Sequence, residues 1–305
     1  DYSTGSEAFL LEPQSTNLIT QSEDFSDSSW VKTDCSVVSN FGVSPSGQTN
    51  ASKLTFTTNN TLARAQYNLG GLTTGNTYTQ SYYIKSLGAD VTLRIGTSGA
   101  IVGEFVDIIA TSEWQRFEFT GVASDTTEFP RVQNITSTLG VEILVWGAQL
   151  EEQSYATSYI PTSGASATRN QELCNNATPV INSEEGTLYA EISNVSKEDY
   201  SNIALTDGTN SQRVQIYFNK DALSLMFFVR VDGVLLATHT VSSSGINYED
   251  TNKIAIKYKT NDISFWLNGI KVGTSTSGTL IPNKFTQLGF NSGSGGAFFG
   301  NTKDL

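Results

Sequence analysis

The chain has 305 residues, a hydrophobic fraction of 38% and a charged fraction of 16%, too apolar for a disordered chain and too polar for a membrane-embedded one. Its formal net charge is −12, and the charge is uneven, −10 over residues 1–168 against −2 over 169–305. Such a surface repels phosphate backbones, so nucleic acid is not an expected partner, and no apolar run is long enough to suggest membrane insertion.

The residue types narrow the chemistry further. The 26 glycines, set among many Ser, Thr, Asn, Val and Ile, are the composition of short strands joined by tight turns. Cys35 and Cys174 lie far apart; two free thiols are expected, with one long-range disulfide as the alternative. No CxxC unit suggests zinc. His239 is the single histidine, which leaves no His-cluster metal site. The chain opens on Asp1 without a signal peptide and stops at Leu305 just after a strand-like run. It reads as an excised or processed piece of a longer protein.

Strand-like runs recur about every ten residues in the first half: ASKLTFTT (51–58), ARAQYNLG (63–70), YTQSYYIKS (78–86), VTLRIG (91–96), WQRFEFTGV (114–122) and VEILVWGAQL (141–150). Many alternate apolar with polar residues, the period of a strand covered on one side. Phe117 and Phe119 face one way, Arg116 and Glu118 the other. Turn signals separate the runs at SPSG (44–47), TTGN (73–76), LGAD (87–90) and GTSG (96–99). An antiparallel β-sandwich is expected. VEILVW is its last core strand, with Trp146 packed inside. Glu151 and Glu152 mark the exit, SYATSYIPT an extended ribbon stiffened by Pro161, and SGASATRN (163–170) a linker.

Three segments of this half carry a resemblance: DYSTGSEAFLLEPQSTNLITQSEDFS (1–26), EWQRFEFTG (113–121) and WGAQLEEQSYATSYIPTSG (146–164). Together they resemble a carbohydrate-binding-module-like β-sandwich found in phage tail fibres, head spikes and head fibres. The resemblance covers roughly 1–168 and brings no catalytic or binding motif. It implies a virion-surface, extracellular setting, other virion structural proteins as partners and a homotrimer, which no heptad or collagen-like repeat here supports independently.

Strands resume after the linker: EGTLYAEISNV (185–195), SNIALTD (201–207), QRVQIYFN (212–219), LSLMFFVRV (223–231), VLLATHTV (234–241), NKIAIKYK (252–259), ISFWLNGIKVG (263–273) and FTQLGFN (285–291). Asn268-Gly269 between alternating runs predicts a type I′ hairpin, whose two central residues need φ > 0. KIAIKYKTNDISFWLNGIKVG, with FTQLGFN and the glycine-rich SGSGG (292–296) before AFFGNTKDL, resembles the laminin-G/concanavalin-A-like jelly roll. The expected architecture is all-β, two tandem antiparallel sandwiches: a lead-in segment 1–16 from an upstream region, a first sandwich 17–168, a linker 169–181 and a second sandwich 182–305.

Enzymes on that jelly roll would need paired carboxylates, which glycosidases of this fold group carry as E-x-D-x-x-E. No such motif occurs. The acidic clusters Lys197-Glu198-Asp199 and Tyr248-Glu249-Asp250 fall in turns, and His239 has no partner motif and reads as an ordinary strand histidine. No catalytic role is expected. Alternation instead groups Arg213, Gln215 and Tyr217 on one strand face, Phe228 and Arg230 with Met226 on a second, and Trp266 with Ser264 on a third. Flat aromatics and planar donors suit sugar binding, although aromatics in such places more commonly serve packing. In the first half the same exercise exposes Trp114, Arg116, Tyr83 and Arg94.

No cofactor is required. Both families imply a structural calcium, for which Asp207-Gly208 and Asn291 are candidate ligands. The expected function is recognition of host-cell-surface polysaccharide by a fibre or appendage segment. The alternatives are a purely structural virion segment and a polysaccharide depolymerase.

Overall fold

A computed structural model of the chain describes residues 9–96, 101–102, 105–174, 178–194, 200–219, 223–242, 246–247, 250–291 and 296–305. Among them there is no helix, and the named strands pair antiparallel. The chain divides into two compact units. One is Gln14–Asn170; the other joins Gln171–Leu305 to the stretch before Gln14. The turn clusters at 197–199 and 248–249 and most of SGSGG lie outside the described residues.

In the first unit, a six-stranded sheet runs Ile101–Val102, Gln115–Ala123, Thr77–Ser86, Glu142–Glu151, Thr49–Phe56, Cys35–Val43. It faces a five-stranded sheet running Phe105–Ala110, Val91–Gly96, Arg131–Asn134, Arg64–Tyr67, Trp30–Thr33. The period-2 alternation sends Leu54, Phe56, Tyr82, Ile84, Leu93, Ile95, Val132 and Val145 into the shared core. Phe119 joins it and Phe117 packs at its margin. Trp146 is buried as expected, but not between the sheets. It sits on the outer side of its strand with Ala51 and Leu144, against Tyr83, Trp114 and Tyr159.

The stretch 151–169 is not a free ribbon and linker. Asn17, fully buried, donates through Nδ2 to the carbonyls of Ala148 (3.0 Å) and Ile160 (2.9 Å). Its Oδ1 accepts from the amides of Ile19 (3.1 Å) and Leu150 (3.2 Å). One amide side chain thereby ties the TNL segment to both the last core strand and the returning ribbon. Glu151 does not lead outward: it is fully buried and accepts from Ser15 Oγ (2.5 Å), Gln149 Nε2 (2.7 Å), Thr157 N (2.7 Å) and Thr157 Oγ1 (2.6 Å). Ala167–Arg169 then pairs with Ser15–Asn17. Gly147, at φ +66°, sits at the β-bulge between Trp146 and Gln149, where a side chain would crowd Tyr83 and Tyr159. These contacts are the physical content of the LLEPQSTNL and WGAQLE segments.

The second sandwich has a six-stranded sheet in the order Phe9–Leu11, Gly300–Asp304, Glu185–Asn194, Asn252–Lys259, Ile263–Leu267, Ile270–Ser275. Its five-stranded sheet runs Val234–Ser242, Ser224–Val231, Arg213–Asn219, Tyr200–Thr206, Gln287–Gly289. The segment 1–16 is therefore not a simple lead-in. Phe9–Leu11 adds an edge strand beside Gly300–Asp304 and puts Leu11 into this core, while Ser15–Asn17 belongs to the other unit. An unpaired edge readily accepts such a strand. Asn268 (φ +50°) and Gly269 (φ +82°) make the expected two-residue hairpin, and Asp232-Gly233 (φ +49° and +79°) makes a second. Cys35 and Cys174 are free thiols.

Asn17→Leu strands two buried carbonyls and two buried amides at once. It should cost the first sandwich at least about 3 kcal/mol, read as a lower urea midpoint. Thr16→Ala, which removes only the exposed bond to Thr168 (2.8 Å), should shift stability by less than about 0.5 kcal/mol.

Candidate functional site

The five-stranded sheet of the second sandwich buries one side completely. Val214, Ile216, Leu225, Phe227 and Val229 are all inaccessible to solvent. Their alternate neighbours must face outward, and the antiparallel register aligns them in rows. Asn202, Tyr217 and Met226 form one row; Ala204, Gln215 and Phe228 the next; Thr206, Arg213 and Arg230 the third. Five of the expected site residues, Arg213, Gln215, Tyr217, Phe228 and Arg230, thus come together on one face.

Three rings run across that face. Tyr200 and Tyr217 stack with centroids 5.6 Å apart and 27° between planes, and Tyr217 meets Phe228 edge-on at 5.7 Å. The Arg213 guanidinium lies 5.9 Å from the Phe228 ring centre. Tyr200 is 47% exposed, so the platform reaches solvent. Gln215 lies beneath it at 1% exposure. Its Nε2 donates to Asn202 Oδ1, and Asn202 Nδ2 donates to the Gly296 carbonyl (2.8 Å). Gln215 Oε1 is buried without a partner. The two arginines stand directly opposite each other. Arg213 donates from Nη1 to Asn210 Oδ1 (2.9 Å), and the buried Nε of each arginine has no partner. Burial, and next the charge of Arg230, pull the Arg213 pKa below its ordinary value. Burial, then Tyr200, raises that of Tyr217.

Trp266 does not belong to this face. It lies on the six-stranded sheet, opposite Ala255 and Lys271, half-buried, with Nε1 donating to Ser264 Oγ (3.1 Å) and Lys271 Nζ 5.2 Å from its ring centre. The core of the sandwich separates its outer face from the Tyr217 face. Alternation gives the parity of a side chain within its strand; it does not give the sheet to which the strand belongs. Tyr200 and Asn202 were not singled out in the sequence. The alternation of YSNIALT carries them, once that strand is known to pair with Arg213–Asn219.

The first-half residues are also gathered, but into a filled cluster. The Arg116 guanidinium sits 5.4 Å from the Tyr83 ring and donates to Ser81 Oγ (3.0 Å). Trp114 Nε1 donates to the Val43 carbonyl (3.1 Å). Trp146 lies between Tyr83 (5.4 Å) and Tyr159 (4.4 Å), whose hydroxyl is bonded to Ser22 (2.6 Å) and Glu23 (3.1 Å). Arg94 lies on the other sheet in a bidentate pair with Asp107 (2.6 and 3.0 Å). These groups secure the returning ribbon and one another. A recess bounded by 86–92 and 136–142 has no aromatic lining.

His239 faces inward, half-buried, its ring nearly parallel to Phe265 (6.0 Å, 14°). Asp207 Oδ1 accepts from Thr209 N (2.9 Å) and Oγ1 (2.6 Å), closing its own turn. Among the described residues no three His, Cys, Asp or Glu side chains gather as a metal-ligand group.

No family model matches the chain, and no curated protein does. Among solved structures, a CBM4 chain matches at 15% identity and a TM-score of 0.30, over 39% of this chain and 86% of that one. The CBM22-1–GH10 modules of the Clostridium thermocellum endo-1,4-β-D-xylanase 10B, complexed with xylohexaose, match at 15% identity and a TM-score of 0.32. That match takes in 50% of this chain and 30% of the xylanase chain. Likeness at this level has no bearing on what the present chain binds.

Directly opposed like charges destabilise a strand pair. Arg230→Met keeps much of the aliphatic stem and removes the opposition, so it should raise the urea midpoint of the second sandwich by the equivalent of about 0.5 kcal/mol. A fall in the midpoint would mean that the pair is already neutralised within the fold.

Proposed function

We propose that this chain is a non-catalytic segment of a surface appendage, of the virion-fibre type, that recognises cell-surface polysaccharide. Its contact surface is the Tyr217 face of the second sandwich. The observation that carries this is the joining of a three-ring platform to a buried amide oxygen, Gln215 Oε1, that has no partner. A pyranose offers an apolar C–H face to the rings and hydroxyl donors to such an oxygen. A buried acceptor left unpaired is costly unless a ligand completes it.

The virion setting and extracellular location rest on the sequence resemblance over roughly 1–168, as do other virion proteins as partners and a homotrimeric state. A trimer would present three copies of a weak site and gain by avidity. The reading needs no cofactor, and calcium enters it only as a structural ion in the loops.

Binding to a broad polysaccharide array tests this. Tyr217→Ala, removing the central ring, should weaken binding about 30-fold, the scale of an interface anchor, while the protein stays folded with a modestly lower thermal midpoint from the lost ring contacts. Trp266→Ala should leave binding as it was. Loss in Trp266→Ala with retention in Tyr217→Ala would move the site to the other sheet. A blank array from the folded protein would favour a structural segment.

A further inference from the structure

The rings and Gln215 would suit any sugar, but the third row of the same face is more selective. Arg213 and Arg230 are cross-strand partners, and each has a buried Nε with no acceptor. In a chain with 30 acids and 18 Lys and Arg, carboxylates are plentiful. Other cations on this sandwich have them: Lys257 pairs with Asp262 (2.5 Å) and Lys259 with Glu185 (2.7 Å). The two described carboxylates that neighbour the row in sequence are committed elsewhere. Asp232, two residues beyond Arg230, accepts from Lys284 Nζ (2.7 Å) and Gln212 Nε2 (2.5 Å). Asp207, next to Thr206 in the row, is held by Thr209. Among the described residues, the sandwich thus gathers two half-buried guanidiniums with no ion pair to either.

We infer that this face takes an anionic sugar, a glycan residue bearing a carboxylate or a sulfate ester, with the anion seated on Arg213 and Arg230. The inference rests on the glycan-binding reading and names its ligand class. Planar guanidinium forks match the oxygens of either anion and bind them by charge-assisted hydrogen bonds. The anion also removes the like-charge opposition across the strands. The rest of the face lies in register with it. Rows on one face of a strand are about 7 Å apart, which places the Gln215 and Phe228 row, then the Tyr217 row, along one short stretch of polymer from the anion. Neutral sugar residues would lie on the rings while the charged one is read by the arginines.

Titration calorimetry with three soluble polymers tests this: a polyuronate, a sulfated polysaccharide and a neutral glucan, each at low and high salt. The wild-type protein should bind an anionic polymer, more weakly as salt screens the contact, and the neutral glucan poorly. The stronger of the two anionic arms assigns carboxylate or sulfate. Arg213→Gln/Arg230→Gln should lose about 100-fold in affinity while its melting midpoint holds or rises. Arg230→Lys, which keeps the charge but not the fork, should fall between. Binding confined to the neutral glucan, abolished by Tyr217→Ala and indifferent to the double variant, would overturn the anion assignment and leave the glycan reading intact. Anionic binding unchanged in the double variant would also overturn it. Binding to none of the polymers, with a blank polysaccharide array as well, would remove both.

Discussion

Phe227 and Phe265 meet between the two sheets of the second sandwich, ring centres 5.2 Å apart, and this contact expresses the constraint on which the molecule is built. A strand has two sides and period 2. Once one side of each strand is committed to a shared core, every alternate residue is committed to the outside. The fold therefore generates outer faces whose content selection can vary without disturbing the core. In the second sandwich one such face carries rings, an amide and two arginines. In the first, the outer face of the six-stranded sheet carries Trp146 and Tyr83, already covered by Tyr159.

The two faces show how a polar or aromatic outer surface can serve different ends. Around Trp146 many of the groups answer one another, although Trp146 Nε1 and Arg116 Nε are buried without a partner. Hydroxyls find carboxylates, Arg116 finds a ring and a hydroxyl, and the returning ribbon closes the set. The Tyr217 face also holds unmatched atoms, beside a ring that reaches solvent. Gln215 Oε1 and the Nε atoms of Arg213 and Arg230 are buried and unmatched. Desolvated polar atoms without partners oppose folding, and where they lie beside a solvent-exposed ring, as near Tyr200, a ligand can supply the missing partner. What separates the two faces is cover: Trp146 is closed over by Tyr83, Trp114 and Tyr159, whereas the Tyr200 end of the Tyr217 platform reaches solvent.

Local features of the fold were legible in the sequence and non-local ones were not. The all-β class followed from alternation in runs such as WQRFEFTGV, and the hairpin at Asn268-Gly269 from the φ > 0 that its two central residues need. The same signal at Asp232-Gly233 was available as well. The pairing of Phe9–Leu11 with Gly300–Asp304 spans almost the whole chain, and nothing within either segment specifies it. The return of 151–169 depends on one buried side chain, Asn17, more than 130 residues away from its carbonyl partners. For the site, alternation placed Tyr217 beside Arg213 and Gln215 correctly. It grouped Trp266 with them only because strand parity carries no information about sheet membership.

The central claim is that the Tyr217 face of the second sandwich, and not the Trp266 face, meets the ligand. Hydrogen–deuterium exchange of the full chain, with and without a polysaccharide that it binds, addresses this most directly. The account predicts new protection across Tyr200–Thr206, Arg213–Asn219 and Ser224–Val231, with Ile263–Leu267 unchanged. Protection centred on Ile263–Leu267 and Ile270–Ser275, or confined to the first sandwich, would contradict it.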